Sequence, residues 1–167
     1  MEHAIRHHIK RKLDEDPVHY QKLSERLEEI LQRFGTSWEQ LALALSDFIE
    51  QVRKGRSQNE SIPGLDPEIH APFFDVLKEE RQQQAPVSAA DATWLAGLTV
   101  DMVERLIREA ASTVGFWKSA QRQNELHGQL VVFLDDAGVV ELERADALAD
   151  RLMDLAKANQ RKLTRAE

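Results

Sequence analysis

The sequence contains no cysteine, which excludes disulfide bonds, thiolate nucleophiles and cysteine-ligated metal sites. A chain without cysteine fits a reducing compartment, so we expect a cytoplasmic protein. Long hydrophobic runs are also missing: the apolar stretch Leu130 to Leu134 stops at Asp135, far short of the roughly 18 residues that cross a bilayer. The N-terminus carries no apolar signal segment either. These absences predict a soluble protein with no membrane partner.

Motifs for nucleotide and metal chemistry are absent as well. Neither a GxxxxGK[ST] phosphate loop nor a GxGxxG motif occurs, so the sequence gives no basis for nucleotide hydrolysis by this chain. HExxH and Glu-x-x-His pairs are missing too. His3 and His7 lie four residues apart and could share a helical face as metal ligands, but a solvated basic face is the favoured interpretation. No catalytic residue, cofactor or metal site is predicted for this chain.

Positive charge is in short supply. The formal net charge is -7, and acidic residues outnumber basic ones on both sides of Gln84. Phosphate neutralisation supplies most non-specific DNA affinity, so tight independent DNA binding is not expected. The densest cationic group is Arg6, Lys10, Arg11 and Lys12, for which we predict at most a weak contact with the DNA backbone. A solvated helix face is the alternative interpretation.

Helical periodicity is what the sequence has in abundance. Apolar side chains recur at three- and four-residue steps, and no alternating hairpin pattern joins them. The predicted fold is therefore all-α, an irregular helical bundle of about six to seven helices. It starts with a short helix, and Asp16-Pro17 then caps and opens an antiparallel helical hairpin. Leu27 and Leu45 are predicted to be buried on facing stripes of this hairpin.

The uncharged, proline-interrupted segment Gln82 to Ala90 is the best candidate boundary. It predicts an N-terminal helical half, residues 1–84, and a C-terminal helical half, residues 85–167, packed as one domain. The longest periodic stretch follows this segment and is expected to form one helix that ends near Gly115.

A further helix is predicted from about Phe116 to Ala137, with Gly138 in the C′ position after it. The run Leu130 to Leu134 resembles a strand, but its flanks are helical, so we interpret it as helix. Gly128 lies inside this helix and indicates either a tolerated weak point or the close approach of another helix.

Four segments carry a resemblance to a known family, and they occur in the same order as in that family. They are Ala4 to Leu31, Gly64 to Leu77, Val114 to Leu130 and Ala149 to Leu163. Polar residues at fixed spacing, as in DEDPVHYQKLSERLEEIL and VGFWKSAQRQNELHGQL, carry most of the signal. The segments resemble the helical region near the C-terminus of the R (motor) subunit of bacterial type I restriction-modification enzymes. The resemblance spans nearly the whole chain.

The resemblance implies a parent subunit that hydrolyses ATP with Mg²⁺, translocates DNA and cleaves it as a type I site-specific deoxyribonuclease. In that family a nuclease domain and two helicase-type motor domains precede the helical region, so the chain would be a fragment of a multidomain subunit. Its implied role is not enzymatic: it packs on the motor domains, supports association with the methyltransferase and specificity subunits, and meets DNA through the complex. The alternative is a free-standing helical interaction or regulatory domain.

Docking points are expected at loops and at exposed aromatic side chains. The candidates are the loop Gly55 to Asp66, the segment Gln82 to Ala90, and Phe73 with Phe74. Ordinary connectors and core phenylalanines are equally open interpretations. No tryptophan alternates with lysine or arginine as in a single-strand binder, so core positions are expected for all three. These are Trp38, Trp94 and Trp117.

Overall fold

The computed structural model describes residues 1–54, 56 and 62–164, and the predicted all-α class is confirmed within them. This part of the chain forms eight helices and contains no strand, close to the six to seven helices predicted. No helix among the described residues is both long and apolar enough to span a bilayer. The chain divides into two compact units, Met1–Glu60 and Ser61–Glu167.

The first unit is built from three helices that share one apolar core. They are α1 (Glu2–Lys12), α2 (Pro17–Phe34) and α3 (Trp38–Lys54). The core consists of Ile5, Ile9, Leu27, Ile30, Leu45, Phe48 and Val52. Leu27 and Leu45 are 1% and 5% exposed, so both predicted hairpin leucines lie in this core. The short connection between α2 and α3 lets their apolar stripes pack against each other.

The junction Asp16-Pro17 opens α2 as predicted. Asp16 Oδ1 accepts a hydrogen bond of 3.3 Å from the backbone N–H of His19, and Pro17 lies in the first helical turn. The same carboxylate accepts two hydrogen bonds of 2.7 Å from the guanidinium of Arg56. The Asp16 and Arg56 side chains are only 10% and 13% exposed, so this pair ties the chain beyond α3 to the start of α2.

The second unit contains the other five helices. The longest, α5, consists of three consecutive segments: Ala89–Met102, the π-helical Val103–Arg108 and the final α-helical turn Glu109–Ser112. The remaining helices are α4 (Ala71–Gln82), α6 (Ala120–Asp136), α7 (Leu142–Ala158) and α8 (Gln160–Leu163). Helix α6 packs along α7, and α4 packs on both α5 and α7. The largest fully buried side chains of this unit are Phe73, Leu77, Leu95, Met102, Ile107, Leu130, Leu134, Leu148, Leu152 and Leu163.

The division between the units differs in position from the predicted one. It falls between residues 60 and 61, whereas the predicted halves were 1–84 and 85–167. Helix α4, which the prediction assigned to the first half, belongs to the second unit because it packs on α5 and α7. The segment Gln82 to Ala90 therefore connects two helices of one unit.

Helix α5 ends earlier than the periodicity predicts. Its last residue is Ser112 instead of one near Gly115, and Val114 is 94% exposed. Thr113 leaves the helical conformation, with φ -71° and ψ 126°, and Gly115 then adopts a left-handed conformation with φ +76°. A short 3₁₀ turn, Phe116–Lys118, follows it, so α6 begins at Ala120 instead of Phe116. The run Leu130 to Leu134 is helical, as predicted.

The aromatic side chains are distributed differently from the prediction. Trp38, at the start of α3, is 83% exposed and Trp94 is 40% exposed, so the expectation of core positions is wrong for these two. Trp117 is partly buried. Phe73 and Phe74 are 0% and 3% exposed, which makes them core residues and removes them from the possible docking surface.

Candidate functional site

The residues predicted to contact DNA all lie on α1. Arg6 is held there by two carboxylates: its Nε donates to Glu2 Oε1 at 2.8 Å, and its Nη1 donates to Glu28 of α2. The hydrogen bonds that Arg6 donates to Glu28 and Glu2 raise the pKa of Arg6 above its already high ordinary value. Lys12 is paired as well, because its Nζ donates to both Glu15 oxygens at 3.0 and 2.8 Å.

Only part of the predicted cationic group is therefore available to a phosphate. Arg6 and Lys12 have to leave a carboxylate before they bind one, whereas Lys10 and Arg11 are exposed and form no ion pair with any described residue. Exposed ion pairs are weak, so the paired cations can still contribute at low salt. If this face contacts DNA, we expect Lys10 and Arg11 to contribute more to binding than Arg6 and Lys12.

The two segments predicted as docking points differ in how much of each the structure describes. Half of the loop Gly55 to Asp66 lies outside the described residues, whereas the segment Gln82 to Ala90 is exposed almost throughout. Ser88 in this segment caps α5 through a reciprocal pair of hydrogen bonds with Asp91, so the exposed turn has a fixed end. Large apolar side chains are exposed at Trp38, Leu43, Val114, Val132 and Leu142.

A largely buried polar network adjoins the π-helical segment of α5, and sequence reasoning missed it. His70 Nδ1 accepts a hydrogen bond of 3.0 Å from the backbone N–H of Asp66. The ring proton of neutral His70 is therefore on Nε2, which donates to Glu104 Oε1 at 2.9 Å. Arg108 Nη1 donates to both Glu104 oxygens at 3.1 and 3.0 Å, and its Nε donates to the carbonyl of Leu163 at 3.1 Å.

This network sets the protonation of Glu104. Burial raises the pKa of Glu104, but the hydrogen bonds from His70 and Arg108 outweigh burial, so its pKa lies below the ordinary glutamate value. A carboxylate that is kept ionised while both oxygens accept hydrogen bonds is a poor general base. We interpret the group as a structural tie between the turn before α4, the π-helical segment and α8.

A second charged network joins α4 to α7. Glu80 is 7% exposed, and its two oxygens are contacted by Arg144 and, at 3.3 Å, by Arg151. Arg151 also donates to Glu79 Oε2 at 2.6 Å, and Arg144 donates to Gln83 Oε1 at 2.7 Å. The buried carboxylate is matched by two guanidinium groups, which explains how a glutamate can lie inside the contact between two helices.

A third group has the composition of a metal-ligand set, and it too escaped the sequence analysis. His127 on α6 lies opposite Asp146 and Asp150 on α7. Its Nε2 is 3.9 Å from Asp146 Oδ1 and 3.1 Å from Asp150 Oδ1. This nitrogen is not accessible to solvent. It makes no hydrogen bond with any described residue, because the contact with Asp150 lacks hydrogen-bond geometry. The sequence signal was the i, i+4 aspartate pair, but nothing in the sequence connects it to a histidine about twenty positions away.

Comparison with known proteins finds no match for this chain: no family model matches it, and searches among curated proteins and solved structures give no match. The resemblance to type I R subunits therefore rests on the sequence segments named above.

Proposed function

We propose that this chain is a helical docking domain of the R subunit of a type I restriction enzyme. In this role it supports assembly of the ATP-dependent translocating and cleaving subunit with the methyltransferase and specificity subunits. The chain contributes surface, and catalysis belongs to the parent's nuclease and motor domains.

One observation carries the proposal: polar residues of the resembling segments form helix caps and buried hydrogen bonds. Asp16 caps α2 and pairs with Arg56, while His70 ties the turn before α4 to Glu104. Asn159 is 3% exposed and donates from its side chain to the carbonyl of Leu155 at the end of α7. Residues at such positions specify a fold, so a resemblance in them favours a shared helical architecture over a chance match of leucine periodicity.

The exposed apolar side chains of α3 are the best candidates for the docking surface. Trp38 is 83% exposed and Leu43 is 69% exposed. An exposed tryptophan loses little conformational entropy when a partner covers it, and tryptophan is enriched among residues that dominate binding energy. Trp38 thus replaces the buried Phe73 and Phe74 as the expected anchor.

The first experiment identifies the complete reading frame. An upstream coding region that runs through helicase motifs supports the proposal, whereas a native start codon at Met1 favours the alternative, a free-standing interaction domain.

The second experiment deletes the region of this chain from the intact subunit and measures ATPase activity and co-purification with the methyltransferase core. We expect a folded, ATPase-competent motor that no longer assembles. Undiminished assembly would contradict the docking role even if DNA cleavage were lost.

A point variant locates the surface within the same assay. Trp38→Ala in the intact subunit should weaken co-purification, while Val114→Ala is the matched control because Val114 is also exposed, at 94%. Equal assembly by both variants and the wild type would exclude Trp38 as the anchor.

Contact with DNA is proposed as a minor property of α1. Binding of the isolated chain to duplex DNA should be weak and should fall steeply with salt. Lys10→Gln with Arg11→Gln should remove more of it than Arg6→Gln with Lys12→Gln, because carboxylates already pair Arg6 and Lys12. Salt-insensitive binding, or binding unchanged when all four residues are glutamine, would exclude this face.

The isolated chain is also proposed to have no ATPase or nuclease activity of its own. Incubation with Mg²⁺, ATP and duplex DNA should give no turnover above the buffer control. Turnover that survives repurification and disappears when one residue of this chain is substituted would contradict the proposal.

A further inference from the structure

We propose that His127, Asp146 and Asp150 form a binding site for a divalent transition-metal ion of the zinc type, at the contact between α6 and α7. The site is independent of the proposed docking role. It offers one imidazole nitrogen and two carboxylates, all within 4.8 Å of one another. Zinc accepts histidine and aspartate ligands, whereas magnesium and calcium favour oxygen-only sets, so the imidazole selects the transition metal.

The spacing of the donor atoms fits a single ion. Bonds of about 2.0–2.2 Å in a tetrahedral site place neighbouring donor atoms roughly 3.4 Å apart. The separations of His127 Nε2 from Asp150 and Asp146, 3.1 and 3.9 Å, lie on either side of that value. The aspartate side chains are 75% and 70% exposed, so their side-chain torsions can close the remaining gap without moving the helices.

The imidazole supplies a second indication, besides the spacing of the donor atoms. His127 Nε2 is closed to solvent yet has no hydrogen-bond partner among the described residues. Buried polar atoms are normally satisfied, so this nitrogen needs an explanation, and a metal ion provides it with a partner. The side chain as a whole is 24% exposed, which places the ion where water can fill the coordination positions that the protein leaves open.

The two neighbouring carboxylates favour a divalent cation. Asp146 and Asp150 lie one turn apart on the same face of α7, where like charges repel. The 3.1 Å approach of His127 Nε2 to Asp150 Oδ1 lacks hydrogen-bond geometry, so it does not offset this repulsion. A divalent ion neutralises both carboxylates and uses the neutral imidazole as a ligand.

The test titrates Zn²⁺ into the full chain, purified without a histidine tag and cleared of metal with a chelator. Calorimetry should show one ion per chain, Zn²⁺ should raise the melting temperature, and Co²⁺ should give visible absorption of a low-coordinate site.

His127→Ala and Asp150→Asn should each weaken binding at least tenfold. Asp154→Asn, on the same helix and outside the group, is the matched control and should bind like the wild type. His3→Ala with His7→Ala tests the other histidine pair and should leave binding unchanged.

Helical content by circular dichroism accompanies each variant, so that lost binding is not mistaken for unfolding. Should His127→Ala unfold, Asp150→Asn decides the question, because its exposed side chain can be changed without disturbing the core. Failure of the wild type to bind Zn²⁺ stoichiometrically at micromolar concentration would overturn the proposal. Undiminished binding by Asp150→Asn, or loss of binding on changing His3 and His7, would overturn it too.

Discussion

At the residue scale, Gly128 and Gly35 differ in the space that is available for a side chain. Gly128 lies within α6, and a Cβ built on it would meet nothing within 4 Å. The close approach of another helix is therefore the wrong interpretation, and the tolerated weak point stays a prediction. At Gly35, after α2, a Cβ would lie 2.6 Å from the carbonyl oxygen of Leu31. Glycine is needed there for space, since its φ of -59° is open to any residue.

The first prediction follows from this contrast. Gly128→Ala should raise the free energy of unfolding by about 0.5–1 kcal/mol, because alanine has less backbone freedom to lose in a helix and finds room. Gly35→Ala should lower the free energy of unfolding, because the methyl group displaces the last turn of α2. Chemical denaturation of both variants measures the two effects. A destabilised Gly128→Ala variant would show that α6 is more closely packed than the geometry indicates.

The second prediction concerns Glu104, whose pKa is lower in the folded chain than the ordinary value of about 4.3. A depressed folded pKa means that the ionised carboxylate stabilises the fold above pH 4.3. This contribution is lost as the pH falls through the folded pKa. Glu104→Gln should therefore lower the melting temperature at pH 7, and its difference from the wild type should shrink towards pH 3.

Thermal unfolding between pH 3 and pH 7 checks this expectation. Glu109→Gln is a suitable control, because Glu109 is exposed on the same helix. A difference between Glu104→Gln and the wild type that stays constant with pH would mean that packing, not charge, explains the effect.

At the element scale, helix ends are fixed by a few backbone hydrogen bonds. After α6, the N–H of Gly138 donates to the carbonyl of Asp135 at 2.9 Å, and the N–H of Val139 donates to that of Leu134 at 3.0 Å. With Gly138 at φ +67°, this pair of hydrogen bonds is a Schellman motif, which confirms the predicted C′ glycine. Val139 is fully buried, so the chain leaves α6 directly into the core of the second unit.

The third prediction tests the packing of α2 on α3. Leu27→Ala and Leu45→Ala should each lower the free energy of unfolding by about 2–5 kcal/mol, because both leucines are buried in one apolar cluster. Leu43→Ala is the matched control: Leu43 lies on the same helix as Leu45 but is 69% exposed, so its loss should cost far less. Equal costs at positions 43 and 45 would contradict the burial pattern of α3.

At the scale of the whole molecule, the two compact units each have a core of their own. The fourth prediction is that the fragment 61–167 unfolds cooperatively and keeps its helical content, whereas the fragment 85–167 does not. The shorter fragment lacks α4, so the surfaces of α5 and α7 that α4 covers become exposed, and Arg144 and Arg151 lose the carboxylate of Glu80. Urea denaturation followed by circular dichroism measures both fragments. Cooperative unfolding of 85–167 would restore the boundary predicted after Gln84.

The sequence by itself determined the helical class, the hairpin of α2 and α3, and the cap at Asp16. These features depend on residues within about four positions of one another, because apolar periodicity and capping are local. The resemblance to type I R subunits and the cationic group on α1 also came from sequence, and they remain predictions.

Only the tertiary structure decided which distant residues meet. His70 with Glu104, Glu80 with Arg144, and His127 with Asp150 are separated by 20 to 70 positions. Each pairing depends on which helices pack together and in which register, and local periodicity carries no information about that. The unit boundary and the exposure of Trp38 have the same origin, because an apolar residue on a helix is buried only where another element covers it.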